Sequence, residues 1–220
     1  AAVQGLAQAL RNDDLVRYSK LSMPPELHKR VEQRWRERLP TAPPPTAAQQ
    51  RDYARWMQRL TAPDAEEKLY ARFDKRMKKF EPELASQWPL MQATGGMLLN
   101  GLVKANDGLS PGAKQHATAV GNALLAWLTP ELVADRARAK QAIAVLADGA
   151  RELELPTLAD TRKLEMRETL DKGSEVLKTS KKIARIYGVD ANASLAAVQA
   201  RVLSASGDTA TMEVSYPLLG

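Results

Sequence analysis

Residues 26–46 read ELHKRVEQRWRERLPTAPPPT, a basic stretch around one tryptophan that closes on four prolines. Leu27, Val31, Trp35 and Leu39 recur at i, i+4, i+8 and i+12, which lines them along one stripe of a helix. Lys29, Arg30, Arg34, Arg36 and Arg38 fill the positions between, interleaved with Glu26, Glu32 and Glu37. A helix built to follow phosphates keeps acids away from its cations, whereas mixed signs describe a hydrated face. The stretch therefore reads as an amphipathic helix opened by Pro25, its apolar stripe turned to a core. Pro40, Pro43, Pro44 and Pro45 then remove backbone donors and stiffen a connector to the next element.

The same period continues on both sides. Before it, Val3, Leu6 and Leu10 are separated from Leu15, Tyr18 and Leu21 by Asn12-Asp13-Asp14, whose side chains favour caps and turns, so two short helices are expected. After it, Tyr53, Trp56, Met57 and Leu60 predict a helix over 46–60. Leu69, Phe73, Met77 and Phe80 predict another over 64–80, with Lys75, Lys78 and Lys79 on its other side. Pro82 is expected to start a separate segment reaching Val103. Gly95 and Gly96 in that segment suggest close approach of a second helix, because helical glycine otherwise costs up to about 1 kcal/mol relative to alanine.

Ser110-Pro111 has the form of an N-cap followed by a first-turn proline, which makes 106–111 the best internal boundary. Helices are expected at 112–128, 130–150, 157–172 and 174–188, with a short one from 191 to 198. The period then shortens. Val198–Ala205 and Ala210–Tyr216 alternate around Ser206-Gly207-Asp208, which predicts a β-hairpin. The fold class expected is therefore all-α for the most part, a multi-helix array or bundle with a short C-terminal β-hairpin. Its expected divisions are a helical half over 1–108, a second over 109–198, and the hairpin over 199–220. Trp35, Trp56, Phe73 and Leu124 are the expected core.

Composition narrows the chemistry. With no cysteine, disulfides, thiolate metal sites and cysteine nucleophiles are excluded. His28 and His116 stand on different predicted helices, His28 expected exposed and His116 partly buried, and neither has a second histidine at metal-ligating spacing. No serine sits in a G-x-S-x-G elbow, and the glycines of 95–101 lack the Lys-Ser/Thr ending of a phosphate loop. Paired acids such as Asp13-Asp14 and Glu66-Glu67 suit the positive ends of helix dipoles. No catalytic residue, metal or cofactor is expected, and the chain is read as not an enzyme. No apolar run approaches the roughly 18–20 residues of a membrane helix. The net charge of +6 is concentrated in the first half, a balance that speaks to solubility and non-specific attraction.

Several stretches resemble a family of uncharacterised secreted or envelope proteins of proteobacteria: DDLVRYSKLSMPPEL (13–27), LTAPDAEEKL (60–69), ELPTLADTRKL (154–164) and VLSASGDTATMEVSYPLLG (202–220). The resemblance implies export to the periplasm or cell envelope and further strands beyond the Leu-Leu-Gly ending. It implies no activity and no site residues.

Two readings of function follow. The first is a non-enzymatic interaction or scaffolding module, in which Val202, Thr209, Met212, Val214 and Tyr216 form a strand surface for a protein partner or a second copy. The alternative is a basic helical module that holds nucleic acid or anionic lipid through Lys29, Arg30, Arg34, Arg36, Arg38, Lys75, Lys78 and Lys79. On the first reading no specific nucleic acid is expected, while peripheral or lipid-anchored membrane contact stays open. A small-molecule carrier with a cavity near Gly95 and Gly96 is a third.

Overall fold

The computed structural model describes residues 2–41 and 43–218; the Leu219-Gly220 ending of the expected strand continuation lies outside them. The described chain is mostly helical and ends in one two-stranded antiparallel sheet, as the period changes predict. It divides into two compact units, one formed by 1–67 with 141–220 and the other by 68–140. The loop at 106–110 therefore lies inside the second unit, and the hairpin belongs to the first.

In the first unit, α1 (Ala2–Arg11) stops where expected. Asp13 takes a left-handed φ of 55°, and the Asp14 amide reaches back to the Ala9 carbonyl at 2.9 Å. The Asp14 carboxylate then accepts from the Arg17 amide at 2.7 Å and opens α2 (Leu15–Leu21). α3 (Pro25–Thr41) is the opening stretch, running further toward the prolines than expected. Thr46 and Gln49 form a reciprocal capping box at the start of α4 (Ala47–Thr61).

The helix expected over 157–172 is two helices. α9 (Leu158–Lys163) ends at an extended Leu164, and α10 (Met166–Ile186) begins beside Glu165, whose amide donates to the Glu168 carboxylate at 2.9 Å. α10 runs straight through Gly173, the expected break, because Leu15 lies against that bare position, 3.0 Å from where a Cβ would stand. Gly188 at φ 89° ends the helix, and the Val189 amide returns to the Ala184 carbonyl. α11 (Ala191–Ala196), β1 (Gln199–Ser206) and β2 (Thr209–Ser215) complete the unit.

The second unit corrects two further expectations. The segments meeting at Pro82 are one helix, α5 (Ala65–Ala105), whose 41 residues, begun in the first unit, include Pro82 and Pro89. At 1.5 Å per residue it is about 60 Å long. The helix expected over 130–150 is split at Asp135 into α7 (Pro130–Ala134) and α8 (Arg136–Leu153). Asp135 is extended and its carboxylate accepts from the Arg138 amide, which gives α8 its own start. Between them, α6 (Pro111–Trp127) has the predicted Ser110 cap, accepting from the Ala113 amide.

The core is built from small side chains. Ala7, Ala9, Ala142, Ala147 and Ala150 are buried, joined by Met57 and Met166, and among the described residues no large side chain is completely enclosed. A Cβ on Gly149 of α8 would stand 2.5 Å from Thr179 Oγ1 of α10, so these helices meet at backbone distance. The expected aromatic core is corrected accordingly. Trp56 is 59% exposed with the Arg59 guanidinium 6.0 Å from its ring, and Leu124 is also exposed. Trp35 and Phe73 are half-buried; the Trp35 indole N–H donates to the Leu164 carbonyl at 3.2 Å. Alanine-lined helices approach too closely to leave space for rings between them, and the rings sit at the margins. The histidines exchange roles. His28 is half-buried, its Nε2 buried and lacking a hydrogen-bond partner, while His116 is exposed.

Candidate functional site

The C-terminal hairpin is the candidate that the sequence singled out. β1 and β2 are joined by Gly207-Asp208, and Gly207 at φ 55° supplies the positive φ that a primed hairpin turn needs at its first central position. Gln199 pairs with Ser215, Ala200 with Val214, Arg201 with Glu213, and Val202 with Met212. A bulge at Leu203 then shifts the register to Ser204 with Thr211. Because side chains alternate along a strand, Ala200, Val202, Met212 and Val214 share one face. Arg201 and Glu213 share the other, joined by an ion pair at 2.8 Å.

The structure thus brings together Val202, Met212 and Val214 of the expected strand surface, with Tyr216 in phase just past the end of β2. Thr209 falls outside the set. It has the opposite phase in β2, and its hydroxyl donates to the Ser206 carbonyl across the turn. Val202, Val214 and Tyr216 are exposed and Met212 is half-buried. β1 touches α1, whereas β2 pairs with no second strand among the described residues. Its outer edge is a row of backbone donors and acceptors open to another chain.

Val214 and Tyr216 also border a groove of about 550 Å³ floored by Val3, Leu6 and Leu10 of α1, Leu177 of α10 and Leu195 of α11. This connection was not legible in the sequence, since it needs α1 and the hairpin, almost 200 residues apart, to meet. Of the two glycines of the carrier reading, Gly95 is closed by α6, since a Cβ there would stand 3.2 Å from Leu125, while a Cβ on Gly96 would meet nothing within 4 Å.

The cations of the alternative reading fall into two groups on different units. Lys29 lies 3.1 Å from Glu26 and Arg36 2.6 Å from Glu32, each acid within one turn of its cation along α3. In the second unit, Lys78 lies 2.6 Å from Asp74 on α5, with Lys75 and Lys79 exposed and Lys79 5.8 Å from the Phe80 ring. Asp74 and Glu81 also take Arg136, at 3.0 and 2.6 Å. Hydrogen bonds from Lys78, then Arg136, hold the Asp74 carboxyl below the usual range, and bonds from Arg136 do the same for Glu81. Lys29, Arg36 and Lys78, with Arg136, are thus neutralised locally. Arg30, Arg34 and Arg38 are exposed on α3.

Among the described residues no group of three His, Asp or Glu side chains is placed to hold a metal ion. No helix among them is long and apolar enough to cross a membrane. No known family model matches the chain, and neither curated proteins nor solved structures give a significant match.

Proposed function

We propose that this chain is a non-enzymatic protein-interaction module that receives an extended strand of a protein partner along the outer edge of β2. The observation that carries it is the hairpin itself: two strands with an exposed apolar face and, among the described residues, no third strand on either edge. A two-stranded ribbon is marginal in water by itself, and a third strand would extend the ladder along β2 and lay its own side chains beside Met212 and Val214. The resemblance to exported proteins supports a periplasmic or envelope setting.

The test places a photo-crosslinking side chain at exposed Thr211, identifies the joined protein, and then measures amide exchange of the purified complex. Selective protection of the amides of 209–215, with weakened binding by Val202→Glu/Val214→Glu, supports the reading. A captured partner that leaves those amides exchanging as in the free chain overturns it.

A further inference from the structure

A second surface, independent of the hairpin, lies on the helical hairpin of the second unit. α5 and α6 run antiparallel. The Gln92 amide donates to the Leu125 carbonyl at 2.9 Å, Leu99 lies against Gly121, and the Lys114 ammonium donates to the Lys104 carbonyl. Gln92, Gly95 and Leu99 thus define the face of α5 that meets α6.

A flank running from beside that face (Leu102, Met91 and Leu98) round to its opposite side (Leu90 and Met97) is uncovered. Leu90 is 71% exposed, Met97 68%, Leu98 63% and Leu102 73%, with Met91 half exposed. These side chains follow a seven-residue spacing, Leu90 to Met97 and Met91 to Leu98, with Thr94 and Gly101 between them. That is the alternation of large and small residues that lets two helices interlock along a seam. By helical phase, exposed Leu124 of α6 lies on the same side of the pair as Met91 and Leu98.

Charge decides what the surface meets. In a chain where 26% of residues are charged, only Lys104, Asp107 and Lys114 are charged between Glu83 and Glu131, and all three lie at or beside the connecting loop. The flank offers nothing to an acidic or basic partner. It also lacks the cationic border by which interfacial helices hold anionic lipid. An uncharged apolar face is, however, complementary to itself about a two-fold axis. The five α5 side chains expose roughly 600 Å² per copy, so two faces together remove about 1,200 Å², the lower end of specific interfaces.

We infer that two copies of this chain associate through the Leu90–Leu102 flank of α5, so that two α5–α6 hairpins form a four-helix bundle. Packing of two helical hairpins across such a flank is the ordinary way of closing this surface.

Sedimentation of the full chain over a range of concentrations tests it. The chain is expected to be a dimer with Kd of about 10 μM or tighter, and Leu98→Glu/Leu102→Glu to weaken association at least about 100-fold. Both positions point to solvent in the single copy, so helical content should be unchanged. Leu98→Met/Leu102→Met, which keeps the apolar surface, should still dimerise. A wild-type chain that stays monomeric at about 100 μM overturns the inference. So does a dimer insensitive to the Glu pair, or a monomer that the same flank attaches to phosphatidylcholine vesicles.

Discussion

Lys181 of α10 lies 2.7 Å from the Asp13 carboxylate and donates to the carbonyls of Leu10 and Arg11, closing the C-terminal end of α1. The Asp13 contact is an ion pair without good hydrogen-bond alignment; the carbonyls receive the directed bonds. Two strands of physics meet here. Asp13 is the residue that leaves α1 through a left-handed φ, and a cation at a helix C-terminus is favoured by the orphan carbonyls. Removing the ammonium takes the cation from a half-buried carboxylate and from the Arg11 carbonyl, and leaves the Leu10 carbonyl only the Asp13 amide at 3.1 Å. Lys181→Met is therefore expected to destabilise the chain by about 1–3 kcal/mol. Asp13→Asn, which tolerates the same φ and leaves the carbonyl bonds intact, should cost less. Urea unfolding of the two variants compares them directly, and equal losses would place the effect at the ion pair instead of the helix end.

A Cβ at Gly149 would stand 2.5 Å from Thr179 Oγ1 and 2.6 Å from Thr179 Cγ2. Gly149→Ala should thus destabilise despite the better helix propensity of alanine, by about 1–3 kcal/mol, the range for overpacking. Thr179→Ala deletes both close atoms and should restore most of the loss in the double variant. Thermal unfolding of the four proteins in this cycle gives the coupling; additive losses would show that the helices separate without strain.

The rings and the small residues also explain what was legible in the sequence. Periodicity located the helices through Leu27, Val31, Trp35 and Leu39, and the hairpin through alternation, because both patterns are local. Which residues become core is not local. Trp56 and Met57 are neighbours in one predicted stripe, yet Met57 is buried and Trp56 exposed, a difference set by which side of α4 the partner elements cover. Truncation makes this measurable. Met57→Ala is expected to cost about 2–3 kcal/mol and Trp56→Ala under about 1 kcal/mol, the reverse of the order that side-chain size suggests.

Breaks were misread for an equally physical reason. Pro82 and Pro89 each delete a backbone bond, which at Pro82 suggested a boundary, but α5 passes through both. Conversely, new helices start at Asp135, whose carboxylate accepts from the Arg138 amide, and at Glu165, whose amide donates to the Glu168 carboxylate, because these local bonds offer an alternative to continuing the preceding helix. If continuity is maintained against the proline penalty, relieving it should stabilise: Pro89→Ala is expected to raise stability by about 1–3 kcal/mol. Chemical unfolding followed by far-UV circular dichroism tests this, and a loss of stability would mean that the chain uses a bend at Pro89.

The last prediction concerns pH. Arg151 grips the Glu66 carboxylate at 2.7 and 3.2 Å and donates to the Ala62 carbonyl at 2.9 Å, joining α8 to the first turn of α5 within one unit. Hydrogen bonds from Arg151 hold the Glu66 carboxyl below its ordinary range, and the bonds to Glu66 raise the guanidinium in turn. A carboxyl depressed in the folded state contributes stability above its unfolded value and loses it as pH falls through the folded value. The contribution is thus complete at neutral pH and should fade below about pH 4.5, while the guanidinium stays charged throughout. Arg151→Met removes the cause of the depression, so the variant should be less stable at neutral pH, with the gap to wild type narrowing as the medium becomes acid. Asp74 and Glu81 titrate in both proteins and cancel in the difference. Urea midpoints at stepped pH decide it: a gap that stays constant down to about pH 3 would show that Glu66 holds its proton equally in the folded and unfolded chain.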